Sequence, residues 1–361
     1  MASLGHGGNA KEISRSNNMD YDKIIDFSAN INPLGMPESV KKAIVENLSE
    51  AEKYPDITYY ELKSAISEFE DVTSNNIILG NGAAEVLFNV VRGINPRKSL
   101  VLAPTFSEYE EAVKAINGDI IYYYLNEESQ FHIKEDILNY IKEDLNLLFI
   151  CNPNNPTGVI TKRELLIKVL KKAEEYNVFV VIDESFLDFI NEDLSMIMYI
   201  SEFQNLIVIK SLTKFFALPG IRIGYGISGN IQLMKKVESI SPAWNINIFA
   251  EIATKAGLKD ENYIRNSIKY ISDEKDYLYR ELSKINELRV YEPSVNFILL
   301  KTLTKINLKE ELLKYDILIR SCSNYNGFTN NYYRVAVRSH EENSILIKSL
   351  VDIFEQNHNK E

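Results

Sequence analysis

The stretch Leu206-Ile207-Val208-Ile209-Lys210-Ser211-Leu212-Thr213-Lys214-Phe215-Phe216-Ala217-Leu218-Pro219-Gly220-Ile221-Arg222-Ile223-Gly224-Tyr225 decides how the rest of the chain is read. Leu206–Ile209 is a fully apolar run of the kind that makes a strand buried on both faces, and Lys214 follows it among apolar residues. Desolvation disfavours an ammonium, so a lysine in that setting tends toward the free amine that forms a Schiff base with an aldehyde. Ser211 and Arg222 flank it with a hydroxyl and a planar cationic fork suited to an anion such as phosphate. A lone lysine after a strand also fits a solvated loop, so its partners have to come from elsewhere in the chain.

At 361 residues the chain is long for one core, and a large domain with a smaller companion is expected. A content of 45% hydrophobic and 25% charged residues is that of a soluble globular protein. No apolar run approaches the roughly 18 residues of a membrane span, and Met1–Ile13 lacks a signal-peptide core. A cytoplasmic enzyme is therefore expected. The net charge of -11 argues against nucleic acid, which needs a concentrated basic surface. Two cysteines make no disulfide framework, and Cys151 reads as a small core residue. His6, His132, His340 and His358 lack metal-ligand spacing, so no metal is expected.

Met1–Pro37, rich in Gly, Asn and Ser, reads as an extended segment with little core of its own. Helices are expected over about Pro37–Leu48 and Tyr60–Phe69. Strands are expected at Asn76–Leu79, Leu100–Ala103, Ile120–Tyr124, Leu147–Cys151, Phe179–Ile182, Leu206–Ile209 and Ile223–Ile227, with helices between most of them. That alternation predicts an α/β fold with a mostly parallel seven-stranded sheet covered on both faces. After Asn247 the texture changes to a long charged helix, Glu261–Lys284, then short strands near Asn296–Leu300, Ile317–Arg320 and Tyr333–Val337 and a last helix from about Glu341. The expected division is a large domain over 36–257 and a small α+β domain made of 1–35 and 258–361.

Ligands of open α/β sheets bind beyond the carboxyl ends of the strands, so the residues just past each strand are the ones to read for chemistry. Gly80-Asn81-Gly82-Ala83-Ala84-Glu85 opens a helix whose backbone amides can cradle phosphate. As a dinucleotide fingerprint it lacks the third glycine, and no acidic residue ends the next strand. Phe106 could stack on a flat ring or simply pack. Asn152–Gly158 reads by itself as a turn that presents amides. Asp183 ends four apolar residues, where a carboxylate is costly unless a cation meets it; a helix cap is the plainer alternative. A phosphate cradle, an aromatic, an amide, a carboxylate and a lysine thus follow strands in succession along the chain, which is where one ligand could touch all five. An aldehyde that carries a phosphate and a flat pyridine ring is pyridoxal 5'-phosphate.

Ser211-x-x-Lys214 followed by Gly220-x-Arg222-x-Gly224 closely resembles the cofactor-lysine segment of the fold-type I aminotransferases, and the other motifs match the class I/II aminotransferase family over nearly the whole chain. The resemblance implies a fold-type I architecture with pyridoxal 5'-phosphate joined covalently to Lys214. It implies that Asp183 pairs with the pyridine nitrogen, Asn155 binds the ring hydroxyl and Phe106 stacks on the ring. Ser211, Arg222 and the Gly82-Ala83-Ala84 turn would hold the phosphate. Tyr54, in Tyr54-Pro55-Asp56, resembles the tyrosine that crosses a dimer interface to the neighbouring cofactor, implying a homodimer. Arg334 matches the arginine that grips a substrate carboxylate. Two branches compete, the histidinol-phosphate aminotransferases and the L-threonine O-3-phosphate decarboxylases of cobalamin assembly. Five features look like the decarboxylases: His6-Gly7-Gly8-Asn9, the Asp26–Gly35 stretch, Phe106 in its Pro-Thr-Phe-Ser-Glu-Tyr setting, Arg334–Ser339, and Phe186 in place of a tyrosine. Both branches take a phosphorylated amine. Arg320 and Arg338 are candidates for its phosphate, or else surface ion pairs; His6, Asn9 and Asn32 are further substrate-binding candidates.

Overall fold

The computed structural model describes residues 7–358, and its strands fall into three sheets. In chain order they are β1 (Ile25–Asp26), β2 (Ile77–Gly80), β3 (Lys98–Ala103), β4 (Asp119–Tyr124), β5 (Leu147–Cys151), β6 (Phe179–Asp183), β7 (Leu206–Ser211) and β8 (Gly224–Ile227). The remaining strands are β9 (Leu288–Val290), β10 (Phe297–Thr302), β11 (Ile317–Leu318), β12 (Arg320–Ser321) and β13 (Tyr332–Ala336). The seven-stranded sheet has the order β2-β8-β7-β6-β5-β3-β4. Only β8 runs antiparallel to its neighbours. All seven strands expected from the apolar runs are therefore present.

Their apolar residues divide between two cores. Leu100, Leu148, Val180 and Val208 face one side with Ile150 and Ile182, whereas Val101, Phe149, Val181 and Ile207 face the other. A sheet covered on both faces needs apolar residues at consecutive positions, which is why these strands read as unbroken runs. Strand order reverses at β3, with β4 on one side and β5 on the other, and this opens a crevice beyond the carboxyl ends.

Several expectations need correction. The connections from β4 to β5 and from β6 to β7 contain only short 3-10 helices of three to six residues. Acid- and amide-rich stretches such as Asn191-Glu192-Asp193 break the 3.6-residue periodicity there. The N-terminal segment is not simply extended. It holds a helix, Ala10–Asn17, closed by Asn18 in the left-handed conformation (φ 53°). It also supplies β1, which pairs in parallel with β11. The single strand expected over Ile317–Arg320 is two strands, because the chain leaves the β1 pair at Leu318 and joins β13 at Arg320. The smaller antiparallel sheet runs β12-β13-β10-β9, backed by the helices Glu261–Leu282 and His340–His358. No helix among the described residues is long and apolar enough to cross a membrane.

Candidate active site

The ends of β3, β5, β6 and β7, the turn after β2 and the N-terminal segment surround a cavity of about 380 Å³. Ala83, Ala84, Phe106, Asn155, Asp183, Ser211, Lys214, Arg222 and Arg334 all line it.

Lys214 lies in the one-turn helix Leu212–Phe215 that β7 runs straight into, and its Nζ donates to Ser211 Oγ at 3.2 Å. Burial pushes its amine below the usual lysine value; Arg222 and Arg334 add to that shift, and Asp183 and Cys151 oppose it. Nζ stands 5.1 Å from the centre of the Phe186 ring. A second buried lysine, Lys210, shows that burial alone does not free an amine. Its Nζ pairs with Asp188 at 2.6 Å and Glu70 at 3.2 Å. Burial opposes the charge of Lys210, but Asp188, Glu70 and Glu184 outweigh it and hold its value above the ordinary one.

Asp183 is buried at the end of β6. Its carboxylate accepts from the Tyr109 hydroxyl at 2.7 Å and from the Ser185 amide at 2.9 Å. Tyr109 is fixed by stacking on Phe149, with ring centres 5.2 Å apart and planes 11° from parallel. Among the described residues no cation forms an ion pair with Asp183. A buried carboxylate with two neutral donors and no counter-ion calls for a cation from a ligand, and a protonated pyridine nitrogen supplies one.

At the phosphate end, the helix Ala83–Ile94 starts at Gly82, whose φ is +92°. A Cβ on Gly82 would lie 2.3 Å from Arg222 Nη2, so the guanidinium rests directly on that turn. A Cβ on Gly224 would lie 2.3 Å from the Ala83 nitrogen, so β8 also needs glycine to pack against the helix start. The first-turn amides of a helix have no partners within it, and with Arg222 and the Ser211 hydroxyl they form a cradle for a phosphate. Phosphate cradle, unpaired carboxylate and uncharged-leaning amine around one cavity fit pyridoxal 5'-phosphate.

At the far end Arg334, 5% exposed on β13, donates Nη1 to Asn155 Oδ1 and Nη2 to the Ser28 carbonyl at 2.8 Å. With its amide oxygen turned to the guanidinium, Asn30 accepts from Nε at 3.2 Å and Nη1 at 3.1 Å. All three acceptors are neutral, which leaves the cation ready for an anionic ligand.

Other candidates lie elsewhere. Asn32 is a correction: its Nδ2 donates to the Phe215 carbonyl and Ser267 Oγ, and its Oδ1 accepts from the Leu34 amide, so it braces the chain beneath Lys214. The residues just before it, Ser28, Ala29, Asn30 and Ile31, are the part of that stretch that lines the cavity. Arg338 is also turned away, donating to the Asp26 carbonyl and pairing with Glu342 at 2.8 Å. Arg320 donates to Asn324 Oδ1 and stacks over Tyr325, outside the cavity lining. Asn9 bonds Glu12, while the neighbouring Gly7 and Gly8 line the cavity. Tyr54 is 83% exposed and packs on Trp244 with ring centres 5.0 Å apart. His6 lies outside the described residues. Ser28 and Asn30 sit inside the Asp26–Gly35 stretch and Tyr109 inside Pro104–Tyr109, yet the sequence reading gave none of them a role, and Tyr325 comes from a turn without a motif of its own.

Residues 22–350 match the family model described as aminotransferase class I and II. The chain belongs to that family. The class I and II aminotransferases are pyridoxal-phosphate enzymes, and this chain is a pyridoxal-phosphate-dependent enzyme with their fold. It is 36% identical to the threonine-phosphate decarboxylase of Salmonella typhimurium, over 97% of this chain and 96% of that one. It is 29% identical to a histidinol-phosphate aminotransferase of Methanosphaera stadtmanae, over 97% and 95%. Among solved structures, the histidinol-phosphate aminotransferase of Clostridium acetobutylicum aligns with a TM-score of 0.87 at 35% identity, covering 91% of this chain and 99% of that chain. The aminotransferase-family site therefore stands in a chain similar to enzymes of both branches.

Proposed function

We propose that this enzyme is an L-threonine O-3-phosphate decarboxylase. The observation that carries the reading is the higher identity to the decarboxylase relative than to the curated aminotransferase, over the same share of the chain. Phe186 supports it, since it sets an apolar ring with no hydroxyl beside Lys214. A carboxylate facing that ring is poorly solvated and is relieved by leaving as neutral carbon dioxide.

Pyridoxal 5'-phosphate, when bound, supplies an electron sink for a bond broken at the substrate α-carbon. Asp183 would hold the ring nitrogen, Asn155 the ring oxygen, and Ser211, Arg222 and the Ala83 and Ala84 amides the phosphate. Lys214, held toward its uncharged form, can accept a proton from the incoming substrate ammonium and return it to the α-carbon. Arg334 binds and orients an anionic group of the substrate, which decides the bond that breaks.

The test is to supply O-phospho-L-threonine to the reconstituted enzyme and measure carbon dioxide and the phosphorylated amino alcohol. Keto products formed only with 2-oxoglutarate as acceptor would reject the reading. The second reading, transamination of histidinol phosphate, is favoured by the Clostridium acetobutylicum structure. Absence of glutamate when histidinol phosphate and 2-oxoglutarate are supplied would remove it.

We also propose a homodimer in which Tyr54 reaches the neighbouring site. Tyr54, Ile57 and Tyr60 stand 83%, 56% and 74% exposed, and Val45, Leu48 and Trp244 add further exposed apolar surface. We propose as well the division into a large domain over 36–257 and a small one made of 1–35 and 258–361, which the pairing of β1 with β11 supports. Two buried, unpaired cysteines fit a reducing cytoplasm.

A further inference from the structure

Tyr325 lies in the turn between β12 and β13 and reaches the large sheet, where its hydroxyl donates to Asn155 Oδ1 at 3.4 Å. The same oxygen accepts from Arg334 Nη1. Arginine carries only donors, so the oxygen of the Asn155 amide must face the β12–β13 side, and its Nδ2 donor is turned the other way. The placement of Tyr325 is built in. Its ring is 8% exposed, and the Arg320 guanidinium lies 5.2 Å from its centre. Phe328, three residues on, stacks on Tyr332 at 4.1 Å and meets Phe131 edge-on.

We infer that Tyr325 is a positioning residue that keeps the Asn155 amide turned toward the cofactor when a substrate anion draws Arg334 away. An anion at Arg334 competes with the neutral Asn155 oxygen for Nη1, and charge-assisted hydrogen bonds are roughly twice as strong as neutral ones. Once Arg334 is withdrawn, Tyr325 is the remaining donor to that oxygen among the described residues. Without it the amide is free to rotate and present an acceptor where a donor is needed. Phe186, the aromatic beside Lys214, has no hydroxyl to share the task. The inference rests on the cofactor assignment made above.

The test measures uptake of pyridoxal 5'-phosphate by apoprotein, from the visible absorbance band, with and without 3-phosphonopropionate. That probe carries a carboxylate and a phosphonate but no amine, so it cannot react. Without the anion, Tyr325→Phe should bind the cofactor as the wild type does, because Arg334 still holds the amide. With the anion saturating, its cofactor Kd should rise on the order of 2- to 10-fold relative to the wild type, the loss of one hydrogen bond. Tyr333→Phe, which removes a hydroxyl bonded to Asn307 at a distance from the cavity, should show no dependence on the anion. Melting temperatures of both apoproteins read any general loss of packing. Equal affinities with the anion present, or the same loss with and without it, would overturn the role of Tyr325, as would an anion that does not bind the wild type. A wild type that takes up no cofactor would instead sink the cofactor assignment, and this inference with it.

Discussion

Lys210 and Lys214 stand four residues apart on the same strand and turn, yet their surroundings drive them in opposite directions. Lys210 meets Glu70 and Asp188 and stays charged; Lys214 has the Ser211 hydroxyl as its nearest partner and leans toward the free amine. Replacing Lys214 with Ala should leave the melting temperature nearly unchanged. It should also abolish the visible band that survives dialysis and lower turnover by on the order of 1,000-fold. Lys210→Met should do the reverse, keeping the band but costing about 3–5 kcal/mol in denaturant unfolding, because it strands buried carboxylates. Lys214 was legible in the sequence because its partners Ser211 and Arg222 lie within one short stretch. The environment of Lys210 was not, since its partners arrive from residues 70 and 188 through folding. Glu184 belongs to the same cluster, and burial raises its carboxyl to about 7 although Lys210 pulls it down. The folded state then holds a proton that the unfolded chain has released, so this group makes stability fall as pH rises from about 4.5 to about 7. Glu184→Gln should flatten the melting temperature across that window, and an unchanged slope would show that another group carries it.

The elements that build the site are those with the strongest local signals. The buried strands β5, β6 and β7 of the large sheet each contain an apolar run of at least four residues, and the glycine-rich turn after β2 announces a helix start. What the chain did not reveal was where two elements touch. β8 was expected as a strand, but nothing in Ile223–Ile227 says that Gly224 lies under the first turn of the helix Ala83–Ile94. Likewise the Asp26–Gly35 stretch was singled out correctly, yet its turn points Asn30 into the cavity and Asn32 beneath Phe215. The contact at Gly224 gives a prediction at this scale. A methyl there would meet backbone 2.3 Å away, which cannot be relieved by rotating a side chain. Gly224→Ala should push the helix start outward, destabilise by about 1–3 kcal/mol and weaken cofactor binding through its phosphate end. Pyridoxal, which lacks the phosphate, should lose much less affinity than pyridoxal 5'-phosphate when titrated against the same variant.

Across the whole molecule, the turn after β4 is fastened to the smaller sheet through one carboxylate. Glu127 accepts from the Tyr291 hydroxyl at 2.7 Å and the Tyr332 hydroxyl at 2.9 Å, and pairs with Arg289 at 2.7 Å and Lys301 at 2.8 Å. Phe131 inserts beside it against Tyr291, Phe328 and Tyr332, so the clasp also braces the turn that carries Tyr325. Burial raises the Glu127 carboxyl, but the hydrogen bonds from Lys301, Tyr291 and Tyr332 prevail and hold it down to about 2. Its folded value thus lies below the unfolded one. The stabilisation is present in full above about 4.5 and is lost as the pH falls toward about 2. Glu127→Gln keeps the shape but removes the charge. It should lower stability at pH 7 by about 1–2 kcal/mol, less than the shift alone implies, because the carboxylate is a quarter exposed and screened by solvent. Denaturant unfolding at pH 7, 4.5 and 3 separates the possibilities. The gap between wild type and variant should be nearly the same at pH 7 and pH 4.5 and clearly narrower at pH 3. A gap that stays constant would mean that packing around Phe131, and not the charge on Glu127, holds the two sheets together.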